Sequence, residues 1–213
     1  TGDLLVSVTR AGKVLLLERD ADGDGSADGV RTLLEGLDRP HGIDLADGWL
    51  YVAETGAVRR VRFDAAARTI NGPLEQVAAL AGGGMHFTRT LRVGPDGALY
   101  VSAGSSCNVC IETTPRAAML RVDPATGAVT PYAEGLRNTV GFDWQPGTGD
   151  LYSVDNGRDL LGDDYPPDEL NRIVAGGFYG WPFWHADNVP DPEFGSHPAA
   201  AGRQPIAPAY AFG

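Results

Sequence analysis

Two cysteines, two methionines and 17 basic residues against 28 acidic ones are few for a chain of 213 residues, and each shortage excludes something. The lone Cys107-Asn108-Val109-Cys110 falls short of a tetrahedral zinc set, and Ile111 stands where c-type haem attachment needs histidine. A formal net charge of -11 at pH 7 offers no basic surface to a phosphate backbone, so no nucleic acid partner is expected. No apolar run approaches the roughly 18 residues of a membrane span, and Thr1 to Val6 lacks the basic-then-apolar form of a signal peptide. Sustained three-to-four spacing of apolar residues, the mark of a long amphipathic helix, is absent too. With 43% hydrophobic and 21% charged residues the chain still has the balance of a folded domain, not of a disordered one.

What is plentiful is glycine and proline, 29 and 15 residues, as expected where tight turns join short strands. A strand-like element recurs as Leu50-Tyr51-Val52-Ala53, Leu99-Tyr100-Val101-Ser102 and Leu151-Tyr152-Ser153-Val154, and less closely as Leu4-Leu5-Val6-Ser7. Turn pairs such as Asp47-Gly48 and Asp96-Gly97 precede it, and before those lie Ile43 to Leu45, Thr90 to Val93 and Gly141 to Trp144, so hairpins are predicted. Third strands follow at Lys13 to Leu17, Ala57 to Phe63 and Ala117 to Val122, and fourth strands end at Leu34 to Leu37 and Ala133 to Leu136. A four-stranded antiparallel unit recurring every 40 to 50 residues or so predicts an all-β fold, a β-propeller. The units fall at about 1–37, 38–85, 86–136 and 137–185, with 186–213 read as a Pro/Ala-rich connection to a further blade. The ragged ends predict that 1–213 is one partial propeller domain with about four blades represented.

In such a blade the start of the first strand and the end of the second share one face of the ring. Asp38, His86 and Arg137 fall at the same register, so different blades aim them at one axial cavity, beside Glu54-Thr55-Gly56, Gly104-Ser105-Ser106 and Asp155-Asn156-Gly157. His86 titrates near neutral pH and suits a general base, although a lone histidine is often structural. Arg137 suits a carboxylate clamp or, equally, a blade-to-blade ion pair. The loop Asp155-Asn156-Gly157-Arg158-Asp159 is oxygen-rich and suits a hard cation, with backbone carbonyls as ligands. Asp20, Asp22, Asp24 and Asp28 occupy positions 1, 3, 5 and 9 of a calcium-loop pattern with Gly25 at position 6, while Arg31 replaces the glutamate at position 12. A structural Ca²⁺ in a hairpin and a plain Asp-Gly turn are the two readings there. Cys107 and Cys110 read as a local disulfide pinning an insertion, which implies an oxidising compartment, or as two free thiols. His185 and His197 receive no role.

These motifs together resemble the quinoprotein sugar dehydrogenases: soluble glucose dehydrogenase, aldose sugar dehydrogenase and sorbosone dehydrogenase-like proteins. The resemblance runs from His86 and Leu91-Arg92-Val93-Gly94-Pro95-Asp96-Gly97 through Gly135-Leu136-Arg137-Asn138-Thr139-Val140-Gly141-Phe142 and Asp155-Asn156-Gly157 to Gly176-Gly177-Phe178-Tyr179-Gly180-Trp181-Pro182. It implies a six-bladed propeller that binds pyrroloquinoline quinone (PQQ) over its channel with Ca²⁺ beside the quinone. The family's base falls on His86, its cofactor contacts on Arg137 and Asn138 with Ser105 beside them, and its calcium carbonyls on Gly157 and Arg158. The implied reaction oxidises the anomeric hydroxyl of an aldose, or a related sugar or aldehyde, to the lactone, with an external electron acceptor (quinone or cytochrome) and a periplasmic or secreted location. Two positions depart from the pattern: Ser105 replaces the aspartate that supports the histidine, and Arg158 replaces a proline. The basic residues that grip the quinone from later blades lie beyond Gly213, so this stretch alone is expected to be inactive. Two other classes compete. Ser105 favours a non-catalytic calcium-binding propeller module, and a metal-dependent lactonase-type hydrolase would want axial carboxylates, of which Asp38 is the obvious one.

Overall fold

The computed structural model describes residues 2–212, and they form four antiparallel sheets arranged as the blades of a β-propeller. The first blade has three strands, β1 (Leu4–Val8), β2 (Lys13–Leu17) and β3 (Val30–Leu34). The second is β4 (Ile43–Ala46), β5 (Trp49–Ala53), β6 (Ala57–Asp64) and β7 (Thr69–Ala79). The third is β8 (Leu91–Val93), β9 (Leu99–Ala103), β10 (Ala118–Val122) and β11 (Val129–Glu134). The fourth begins with β12 (Thr139–Trp144), β13 (Leu151–Asp155) and β14 (Asp168–Ile173). Asp47 and Gly48, which join β4 to β5, both have positive φ, 51° and 73°, the conformation whose twist matches a two-residue hairpin.

In β5 and β9 the recurring Leu-Tyr-Val element is apolar because both of these second strands are covered on both faces. Side chains alternate along a strand. Leu50 and Val52 of β5 therefore pack against Val14 and Leu37 of the first blade, while Tyr51 and Ala53 pack against Leu91, Leu99 and Val101 of the third. Tyr100 of β9 faces the other way, into a layer with Met119, Phe142, Leu151 and Tyr179 between the third and fourth blades. The core is thus a series of layers between blades, each fully buried Leu or Val contributing about 1.5–3 kcal/mol.

The last forty residues add short strands to the third and fourth blades. After β14 the chain leaves the fourth sheet. β15 (Gly177–Phe178) pairs in parallel with β11 on the outer edge of the third blade. β16 (Trp184–His185) and β17 (Val189–Pro190) then make a small hairpin. Finally β18 (Tyr210–Phe212) returns antiparallel to β14 and completes the fourth blade. The physical reason is the unpaired edge of β14, whose backbone groups need a partner.

Candidate functional site

Three loops meet at one end of the third and fourth blades: 81–90 before β8, 104–117 after β9, and 156–167 after β13. Arg89 holds the first. It is fully buried and donates to the carbonyl oxygens of Ala81, His86 and Thr88, so one guanidinium ties the turn that carries His86. Burial, with Arg116 nearby, lowers its pKa to about 10, and it remains a cation at neutral pH. The second strand approaches closely: a Cβ on Gly104 would lie 2.5 Å from that of His86, so glycine is required there.

His86 is half-buried, and its Nδ1 lies 2.8 Å from Ser105 Oγ and 3.1 Å from Ser105 O. Ser105 Oγ donates to Cys107 O at 2.6 Å, so its one proton is committed to a carbonyl that can only accept. Nδ1 therefore carries the hydrogen and Nε2 holds the lone pair, with no partner among the described residues. Burial, then the charge of Arg137, hold the His86 pKa below its ordinary 6.5, against the bond to Ser105, which raises it. The imidazole is neutral at pH 7, with its basic nitrogen unpaired.

Arg137 is buried and donates from Nε to Asn108 O (2.8 Å), from Nη1 to Asn156 O (3.3 Å), and from Nη2 to Asn108 Oδ1 (2.7 Å) and Asp159 Oδ2 (3.3 Å). Four of its five N–H groups are thus used inside the chain, leaving one, with the charge, for a ligand. Its backbone N–H, and that of Asn138, donate to the fully buried Asp155 carboxylate, whose pKa burial and Glu169 push up to about 7. Asn138 Nδ2 reaches Asn156 Oδ1 at 3.3 Å. Asp38 repeats this pattern in the second blade, its N–H donating to Glu54 Oε1, but its own side chain is exposed.

The structure brings His86, Ser105, Arg137, Asn138, Gly157 and Arg158 to this end of the fold. Ser105, expected among the cofactor contacts, is 0% exposed and stands behind the histidine, which it orients. Gly157 N donates to Asp168 Oδ1 at 2.9 Å, and among the described residues nothing donates to the carbonyl oxygens of Gly157 or Arg158. Two carbonyls with no internal donor, in a loop that also carries Asp159, are hard oxygen donors of the kind Ca²⁺ takes. The Arg158 side chain points the other way. It is buried and paired with Asp191 at 2.7 Å, and Asp191 Oδ2 also accepts from His185 Nε2 at 2.6 Å.

Asp191, His185, Asn108 and Arg89 escaped the sequence reading. The signal for Arg89 was its place between His86 and the Leu91-Arg92-Val93 strand, and for Asn108 its place between the cysteines. Cys107 and Cys110 form a disulfide. The carboxylate oxygens of Asp20, Asp22 and Asp28 lie within 4.8 Å of one another on an exposed loop, while Asp24 Oδ1, outside that group, accepts from Ser26 N. Backbone donors, Gly25 N foremost, hold the Asp20 pKa below its ordinary value. A cleft of about 250 Å³ opens beside the disulfide loop between Arg116, Glu134, Phe178 and Trp181, and neither His86 nor Arg137 lines it. Arg137 instead lines a cavity of about 20 Å³, room for a water or so, with Asp155, Glu169 and Trp181. No helix is long and apolar enough to cross a membrane.

Residues 1–173 match the family model described as TrAA12-like. An uncharacterized protein of Borreliella burgdorferi is 32% identical over 173 residues, 75% of this chain and 45% of that protein. The iodide structure of the Trichoderma reesei Carbohydrate-Active Enzymes Family AA12 protein is 27% identical with a TM-score of 0.77, over 87% of this chain and 54% of that one. Its calcium structure is similar at 23% identity and a TM-score of 0.84, over 99% and 65%. The holo form of the pyranose dehydrogenase PQQ domain from Coprinopsis cinerea shares the fold at 19% identity and a TM-score of 0.75, over 90% and 54%. The chain spans about half the length of the relatives it matches.

Proposed function

The chain belongs to the TrAA12-like family, and on that premise we propose that the full-length protein is a PQQ-dependent dehydrogenase that oxidises the anomeric hydroxyl of an aldose to the lactone. The observation that carries the reading is His86, whose tautomer is set by the Ser105–Cys107 relay so that Nε2 is left as an unpaired base. Nε2 takes the proton of the sugar hydroxyl as the C1–O bond gains carbonyl character. PQQ, when bound, supplies the two-electron acceptor for the hydride from C1. Arg137 and Asn138 hold the quinone, Arg137 with its charge and its remaining N–H. The carbonyl oxygens of Gly157 and Arg158 hold Ca²⁺, which leaves most of the ion's coordination to the cofactor, other groups or water. The full ring has six blades, both electrons leave in turn to an external quinone or cytochrome, and the disulfide fits a periplasmic or secreted protein.

Reconstitution tests this. Full-length protein incubated with PQQ and Ca²⁺ is expected to retain quinone absorbance through gel filtration and to reduce a dye with at least one aldose of a panel. Retention of no quinone and no reduction with any sugar would sink the proposal.

The Asp20 loop is proposed as a second, structural Ca²⁺ site built on Asp20, Asp22 and Asp28. A chelator should lower Tm by several degrees, and the double variant Asp20→Asn/Asp22→Asn should lose the part of that shift due to this loop. Equal chelator sensitivity in variant and parent counts against the site.

A further inference from the structure

The segment between Cys107 and Cys110 reads in the sequence as a pinned insertion and nothing more. In the structure it touches both axial groups. The Cys107 carbonyl fixes the Ser105 hydroxyl, and through it the tautomer of His86. Asn108 takes two of the four hydrogen bonds that the Arg137 guanidinium makes, one at its backbone carbonyl and one at Oδ1. Its side chain is used further: Oδ1 also accepts from Asp159 N at 2.9 Å, and Nδ2 donates to Asp159 O at 3.2 Å. The orientation of the amide follows, because both neighbours of Oδ1 are donors and the flipped group would set an NH₂ against them. Asn108 thereby ties the loop of the third blade to loop 156–159 of the fourth, where the free carbonyls of Gly157 and Arg158 lie.

We propose that Asn108, held in the disulfide-closed turn Cys107–Cys110, is a positioning residue that fixes the direction of the Arg137 guanidinium, while the same turn sets the His86 tautomer. The proposal rests on the reading of His86 as base and Arg137 as cofactor contact. The physical case is one of freedom. Residues 104–117 form no helix or strand between β9 and β10, and such a stretch samples many conformations unless tied. The bond between two cysteines three residues apart removes most of that freedom at the two carbonyls the axial groups use. Arg137, buried as it is, needs its donors matched or its charge is left stranded.

The test uses the full-length protein with ¹⁵N-labelled histidine and arginine, and free PQQ as the probe ligand. In Asn108→Ala the Arg137 Nη2–H resonances should shift and exchange faster, while Nε–H keeps the backbone carbonyl of residue 108. PQQ affinity should fall about 10- to 100-fold, the size of one hydrogen bond to a charged group, with the His86 nitrogen shifts unchanged. In Asn108→Asp, which keeps the acceptor oxygen, the Arg137 resonance should stay slow to exchange. In Cys107→Ser/Cys110→Ser both signals should move, His86 towards a mixture of tautomers. Should that variant fail to fold, the wild type reduced with dithiothreitol gives the same comparison. Wild-type affinity and Arg137 signal in Asn108→Ala, or an unmoved His86 signal without the disulfide, overturns the proposal. If the spectra change as expected while the wild type binds no PQQ, the functional reading fails and the positioning role stands.

Discussion

Replacing His86 by alanine in the full-length protein is expected to lower kcat for aldose oxidation by about 10²- to 10⁴-fold while the quinone content stays unchanged. The expectation separates two jobs. Arg137 and the carbonyls of Gly157 and Arg158 are the groups suited to hold the cofactor and its metal, and none of them makes a hydrogen bond to the imidazole. Removing the ring should therefore cost the proton transfer and spare the binding. Ser105→Ala should do less, about tenfold, because Nδ1 retains the Ser105 carbonyl at 3.1 Å when the hydroxyl is gone. The pH profile checks the same group. Its pKa lies below 6.5 in the folded chain and the base works unprotonated, so kcat/KM should hold to below pH 6.5 and then fall as acid protonates Nε2. Loss of quinone from His86→Ala would make the residue a ligand contact, and an unchanged kcat would remove it from the chemistry altogether.

Asp191→Ala should be among the most damaging substitutions to stability, at about 3–5 kcal/mol, or a Tm lower by about 10 °C. The Asp191 side chain has no exposed surface and every oxygen is occupied: Oδ2 by Arg158 and His185, Oδ1 by the N–H groups of Glu193 and Phe194. Truncation strands the buried Arg158 guanidinium, whose other carboxylate, Glu193, is mostly exposed and 3.5 Å away. Burial chiefly keeps His185 below its ordinary 6.5, and the Phe194 N–H, Arg158 and neighbouring donors keep Asp191 below its ordinary 3.8. The folded state therefore binds fewer protons than the unfolded one. The stabilisation is complete above pH 6.5 and is lost as pH falls through the lowered His185 value, then through that of Asp191. Thermal melts of both proteins from pH 4 to 8 measure this, and a loss under about 1 kcal/mol at pH 7.5 would show that the pair contributes little beyond its own desolvation.

The blades were legible because their second strands carry a pattern that only a doubly covered strand needs: Leu99, Tyr100 and Val101 are all apolar since one face meets the second blade and the other the fourth. Asp47-Gly48 was legible for a local reason, the positive φ at both residues of the turn. The end of the chain was not. β15, β16 and β17 are two residues each, and β18 is three, too short for alternation to show, and the pairing of β15 and β18 is decided by open edges elsewhere in the chain. At the site, His86 and Arg137 could be found because the repeat puts them in register. Ser105 could be found but not its direction, since a hydroxyl reads the same whether it faces a cavity or a ring nitrogen. Asp191 and His185 were hidden because a buried carboxylate with its Arg158 and His185 partners joins residues whose sequence spacing carries no signal.

The parallel strand β15 gives the order of assembly some content. The third blade makes β8 to β11 from consecutive residues, but its outer edge at Ala133 and Glu134 stays open until Gly177 and Phe178 have been synthesised. By then β12 to β14 already exist, and they in turn wait for Tyr210 to close their own edge. The two blades are interlocked, each finished by chain that follows the core of the other. On a ribosome they would mature as one unit, with the rim of the third blade exposed to wrong strand pairing through some forty residues of elongation. In the finished protein, native-state hydrogen exchange should find the amides of β11 and β14 opening together, not blade by blade.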